Sequence, residues 1–114
     1  MKLATIRVQD TEILSLACPR IDARAGLELV ELVVDSVKRG ARNVVLDLGP
    51  LTNIDFAGAR ALEVASRCVG DGGYLYLAGL NSRARMLLRS LRVAGDVRMI
   101  DWWTDALEPV PRAA

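Results

Sequence analysis

Asp47 and Asp55 bracket a short stretch, Leu48 to Ile54, that opens with Gly49-Pro50. A loop between a strand and a helix would carry both, and paired carboxylates are one way to build general acid–base chemistry. Quieter roles account for them with less: Asp55 as a helix N-cap and Asp47 as an organiser of the loop. The rest of the chain offers catalysis little. There is no histidine among the 114 residues, which removes Ser-His-Asp and Cys-His arrangements and the commonest metal ligand. Cys18 and Cys68 stand far apart without a Cys-x-x-Cys spacing, so reduced thiols are expected. Asp71-Gly72-Gly73 lacks the lysine of a Walker A run and reads as a turn. No catalytic residue, metal site or cofactor is expected.

Arg85, Arg89 and Arg92, with Arg83 nearby, form a basic stripe at helical spacing. It suits an acidic partner or a nucleic-acid backbone, but also an ordinary solvated helix face. Fifteen basic residues against 14 acidic leave a net charge of +1, and no stacking aromatics interleave the arginines, so nucleic acid is not an expected partner. No apolar run is long enough to cross a bilayer, and residues 1–20 lack the pattern of a secretory signal, which points to the cytoplasm.

The elements that must position these residues follow from period and punctuation. Apolar residues make up 52% of the chain and only five are aromatic, so an aliphatic core is expected in one domain, residues 1–114, with its core over about 2–108 and a tail at 109–114. Residues 2–8 and 11–17 read as strands joined at Gln9-Asp10. Asp22 caps a helix whose face Ala23, Leu27, Val30, Val34 and Val37 is apolar, with Gly40 at its end. Leu29, Leu32 and Val33 widen that face, leaving open deep packing or contact with a second copy or partner. Asn43 to Leu48 suits a strand buried on both faces. A helix from Asp55 to Gly70 turns Gly58, Leu62, Ala65 and Val69 inward, flanked by Ala61 and Cys68, and Glu63 and Arg67 are spaced for an ion pair. Tyr74 to Ala78 is a strand. Asn81 or Ser82 caps a third helix, with Ala84, Leu87, Leu88 and Leu91 inward, that Gly95 stops. Val97 to Ile100 is the last strand. Asp101 starts a short final helix on which Trp102 and Trp103 cannot both face inward, and Pro109 and Pro111 close the tail. The order β-β-α-β-α-β-α-β-α implies a mostly parallel sheet with helices packed on it.

Three segments carry a resemblance that covers about residues 12–108. Arg20-Ile21-Asp22-Ala23, then Val44-Val45-Leu46-Asp47-Leu48, then Leu51-Thr52-Asn53-Ile54-Asp55-x-x-Gly58 resemble the STAS family, which comprises anti-sigma-factor antagonists and cytoplasmic domains of sulphate transporters. The resemblance implies a mixed sheet of four to five strands with about four helices. It also implies a protein that binds a kinase-like anti-sigma factor and thereby frees a sigma factor for transcription. In the sigma-regulating members the kinase phosphorylates the first hydroxyl residue after the motif aspartate, which adds charge at a helix N-terminus and reverses a binding preference. Here that position is Phe56 and the next is Ala57, and neither has a hydroxyl. Thr52 is the substitute phosphoacceptor to consider, although a loop threonine also makes local turn hydrogen bonds.

The expected partner-binding surface is Thr52, Asn53, Asp55, Phe56, Ala57 and Gly58. Phe56 reads either as its apolar anchor or as an ordinary first-turn packing residue. The expected function is an anti-sigma-factor antagonist or partner-switching adaptor, with no direct membrane insertion and with a homodimer left open. The alternatives are a structural STAS subunit, in a stress-signalling assembly or a phospholipid-transport ATPase complex, and a small ligand-binding domain.

Overall fold

The computed structural model describes residues 1–93 and 97–107. Two sheets organise the chain. The main one has five strands in the order β1-β2-β4-β6-β7. β1 (Lys2–Val8) pairs antiparallel with β2 (Thr11–Leu16), and β2, β4 (Asn43–Asp47), β6 (Leu75–Ala78) and β7 (Val97–Ile100) run parallel. The Gln9-Asp10 connection works because Gln9 takes φ +55°, in the left-handed region. β4 lies at the centre of the sheet. Val44 and Leu46 point to one face and Val45 to the other, all fully buried, as the continuous apolar run predicts.

α1 (Ala23–Lys38), α2 (Phe56–Val69) and α3 (Ser82–Ser90) enclose the larger core on one face of this sheet. The other face holds a smaller cluster, Ile13, Val45 and Ala78, covered by a short 3-10 helix, Trp103–Leu107. The expected final α-helix is therefore this tighter turn. Trp103 packs against the small cluster while Trp102 stays 71% exposed, so one tryptophan faces inward and one does not. The third helix ends at Ser90, before the expected stop at Gly95; that glycine and the tail prolines lie outside the described residues.

Two features depart from the sequence reading. A second, two-stranded parallel sheet joins β3 (Arg20–Ile21) to β5 (Asn53–Ile54), each strand only two residues long. The fully buried face of α1 is Gly26, Leu29, Val33 and Ser36; of the expected Ala23, Leu27, Val30, Val34 and Val37, Val30 and Val37 pack half-buried against the core while Ala23 and Leu27 are exposed. Leu29 and Val33, expected only to widen the face, are at its centre. Two contacts select it. A Cβ on Gly26 would overlap the Ala61 side chain, so α1 and α2 cross closely only where this glycine sits. Ser36 Oγ donates to the buried Glu12 carboxylate at 2.6 Å. α2 buries Gly58, Leu62, Ala65 and Val69 as expected, with Ala61 and Cys68 half-buried at its edges.

Candidate functional site

Because β3 and β5 are parallel and in register, Ile21 opposite Ile54, the residues that follow them stand side by side. Those residues are Asp22 and Asp55, the N-caps of α1 and α2. Asp22 Oδ1 accepts from the Ala25 amide at 2.9 Å, and Asp55 Oδ1 from the Gly58 amide at 2.8 Å. Each carboxylate satisfies a backbone donor that the first helical turn leaves unpaired, and its charge suits the positive end of the helix. The Ala25 amide holds the Asp22 carboxyl below its ordinary pKa. The motif aspartate is thus one of a pair of caps that open two adjacent helices at one corner.

The loop that delivers Asp55 is pinned from both sides. The amides of Thr52 and Asn53 donate to the Pro19 carbonyl at 2.9 and 3.1 Å, and the Asp55 amide donates to the Ile21 carbonyl at 3.2 Å. Asn81 Nδ2 donates to the Leu51 carbonyl at 3.1 Å, and Arg83 Nε to the Thr52 carbonyl at 3.3 Å. Thr52 Oγ1 donates to Pro19 at 3.0 Å, the local turn bond that competes with a phosphoacceptor role. Asp47 Oδ1 accepts from the Gly49 amide at 3.3 Å, so Asp47 and Asp55 each hold a different backbone amide.

Of the six residues singled out from sequence, five form the exposed corner: Thr52, Asn53, Asp55, Phe56 and Ala57. Gly58 is buried beneath them. A Cβ there would overlap the Ile21 carbonyl oxygen, so glycine lets the first turn of α2 rest on β3. Phe56 is 64% exposed. Its ring is held by the Arg60 guanidinium, 4.8 Å from the ring centroid. Arg60 is fixed in turn by the Leu91 carbonyl at 2.8 Å and by Glu63 at 3.2 Å. The expected Glu63–Arg67 pair is replaced by this Arg60–Glu63 pair, which aims Arg60 at Phe56.

Sequence reasoning missed Arg60 and the Arg20–Asp22 side of the corner. A signal for the second was present: of the three Ile-Asp dipeptides in the chain, Ile21-Asp22 and Ile54-Asp55 are each a strand end followed by a helix cap, and Ile100-Asp101 closes β7. The basic stripe of α3 does not form one surface. Arg85 pairs with Asp101 at 2.6 Å, Arg83 is tied to the Thr52 carbonyl, and Arg92 lies past the helix end at φ +51°. Among the described residues no group of three or more His, Cys, Asp or Glu could hold a metal ion, and no helix is long and apolar enough to cross a membrane.

A mixed sheet carrying its helices on one face, with a loop-to-helix corner turned to solvent, defines a small α/β module. The STAS domain model matches residues 4–106, and the chain belongs to the STAS family. No curated protein matches the sequence. Among solved structures, a putative anti-sigma factor antagonist from Thermotoga maritima superposes with a TM-score of 0.69 at 17% identity, over 91% of this chain and 90% of that one. RsbS from Moorella thermoacetica gives 0.70 at 16% identity, over 91% and 90%. The anti-sigma factor antagonist SpoIIAA in its unphosphorylated form gives 0.65 at 14% identity, over 92% of each chain. At these identities the likeness establishes the fold.

Proposed function

We propose that the chain is an anti-sigma-factor antagonist, or a partner-switching adaptor of that type, that acts in the cytoplasm by docking and not by catalysis. The docking surface is the corner built from Thr52, Asn53, Asp55, Phe56 and Ala57 over the buried Gly58. The observation that carries the reading is the exposed Phe56 at the first position of α2, held in place by Arg60. An aromatic ring already fixed in orientation loses little entropy on binding and suits a hot spot. The names borne by two structural neighbours, anti-sigma factor antagonists, support an anti-sigma factor as the partner class.

Binding would occlude the anti-sigma factor and release its sigma factor. Phe56 occupies the position at which sigma-regulating relatives are phosphorylated, so the partner's kinase activity would not switch this chain off there. The test is calorimetric titration of a kinase-like anti-sigma factor with the wild-type chain and with Phe56→Ala. The expected outcome is a loss of at least about 2 kcal/mol of binding in the variant, the scale of an aromatic anchor. Equal affinities would remove Phe56 from the interface. Intact mass after incubation with the factor and ATP should be unchanged; a gain of one phosphate would instead place a phosphoacceptor on the chain, with Thr52 the first to substitute.

A further inference from the structure

An exposed aromatic ring in the first turn of a helix has little around it to choose its rotamer. Phe56 is such a ring, and the group over its face is Arg60, one turn further along α2. An arginine side chain is itself flexible, so it can orient a neighbour only if something else fixes the guanidinium. Here the fixing groups come from two places. Glu63, on the same helix and buried, pairs with Nη2 at 3.2 Å. The Leu91 carbonyl accepts from Nη2 at 2.8 Å, and the Arg92 carbonyl lies 3.5 Å away. Leu91 is the C-cap of α3, where carbonyls lack partners within the helix and the helix dipole is negative. Arg60 therefore caps α3 and stacks on Phe56 with one planar fork. Its Nε is buried with no hydrogen-bond partner among the described residues, a cost that the other contacts of the fork outweigh.

The α3 end of this chain of contacts has a defined shape. Arg92 sits at φ +51°, in the left-handed region, and its amide donates to the Arg89 carbonyl at 3.1 Å. That turn sets where the Leu91 and Arg92 carbonyls point. We propose that Arg60 is the positioning residue of the docking corner: the C-terminal turn of α3 holds its guanidinium, and the guanidinium holds the Phe56 ring in the orientation that the partner receives. The inference rests on the docking reading above and extends the site to the far end of α3, which that reading leaves out.

Phe56 is the one phenylalanine of the chain, so labelling the full chain with para-fluorophenylalanine gives a single fluorine resonance to follow by NMR. Arg60→Met should move that resonance toward its position in the urea-unfolded chain. Arg60→Lys should do the same, because an ammonium keeps the charge but not the fork. Arg92→Gly, which takes positive φ freely, should leave it in place, and Arg92→Pro, with φ fixed at about −65°, should move it. In calorimetric titration of a kinase-like anti-sigma factor, Arg60→Met should weaken binding about threefold to tenfold, the scale of one side chain's lost ordering. In a Phe56→Ala background the same substitution should have no further effect. An unmoved resonance in Arg60→Met or Arg92→Pro, or a wild-type resonance in Arg60→Lys, would overturn the proposal. So would a moved resonance with unchanged affinity, which makes Arg60 only structural, or an equal loss in the Phe56→Ala background, which puts Arg60 itself against the partner. Binding lost in Phe56→Ala but kept in Arg60→Met overturns this proposal alone; a wild-type chain that binds no anti-sigma factor overturns the docking reading, whatever the resonances do.

Discussion

Asp55 fixes where Phe56 stands, and the two residues separate cleanly by substitution. Replacing the cap, Asp55→Ala, leaves the Gly58 amide without its acceptor and should cost about 1 kcal/mol in urea denaturation, while Asp55→Asn, which can still accept, should cost much less. Gly58→Ala should be worse, about 1–3 kcal/mol, because the added methyl meets the Ile21 carbonyl oxygen. A Gly58→Ala chain as stable as wild type would show that α2 does not rest on β3. A second residue-scale prediction concerns Glu12. Burial pushes its carboxyl up, but the Ser36 hydroxyl and the guanidinium groups of Arg39 and Arg7 outweigh that and hold it below its ordinary range. Stability from this network is therefore fully present above the unfolded carboxylate value of about 4.3 and is lost as pH falls through the depressed folded value. Glu12→Gln should lower the melting temperature at neutral pH and weaken its dependence on acidification. An unchanged acid limb would mean that Glu12 does not set it.

At the scale of elements, the assignment of the α1 faces is open to direct measurement. Leu29→Ala should cost about 2–5 kcal/mol, since it leaves a cavity in the core, whereas Leu27→Ala should stay within about 0.5 kcal/mol. Costs in the opposite order would restore the face that periodicity suggested. That face illustrates what a sequence can and cannot specify. The main strands and the starts of the three helices follow from apolar runs, Asx caps and turn glycines, all local signals. α1, however, has apolar residues on two adjacent stripes, and period alone ranks the regular Ala23–Leu27–Val30 series first. The choice depends on partners distant in sequence, Ala61 against Gly26 and Glu12 against Ser36. β3 and β5 were equally invisible, since two residues carry no period and their pairing joins segments 33 positions apart, Arg20 to Asn53. The corner itself was legible through Asp55 and Gly58. Arg60 was not, because its role depends on the Leu91 carbonyl brought back from α3.

For the whole molecule, the three α-helices stand on one face of the main sheet, and two of the exposed apolar side chains, Leu27 and Phe56, lie along the α1–α2 pair. A docking module needs such a division: one region of the surface free to engage while the sheet and core hold it rigid. The account then turns on whether that region displaces a sigma factor. The most direct measurement is release of labelled sigma factor from a preformed complex with its kinase-like anti-sigma factor, in the presence of ATP, as this chain is added. The predicted result is stoichiometric release that persists as ATP is consumed and falls at least about tenfold in potency for Phe56→Ala. No release by the wild-type chain, or release that the Phe56→Ala chain matches, would contradict it.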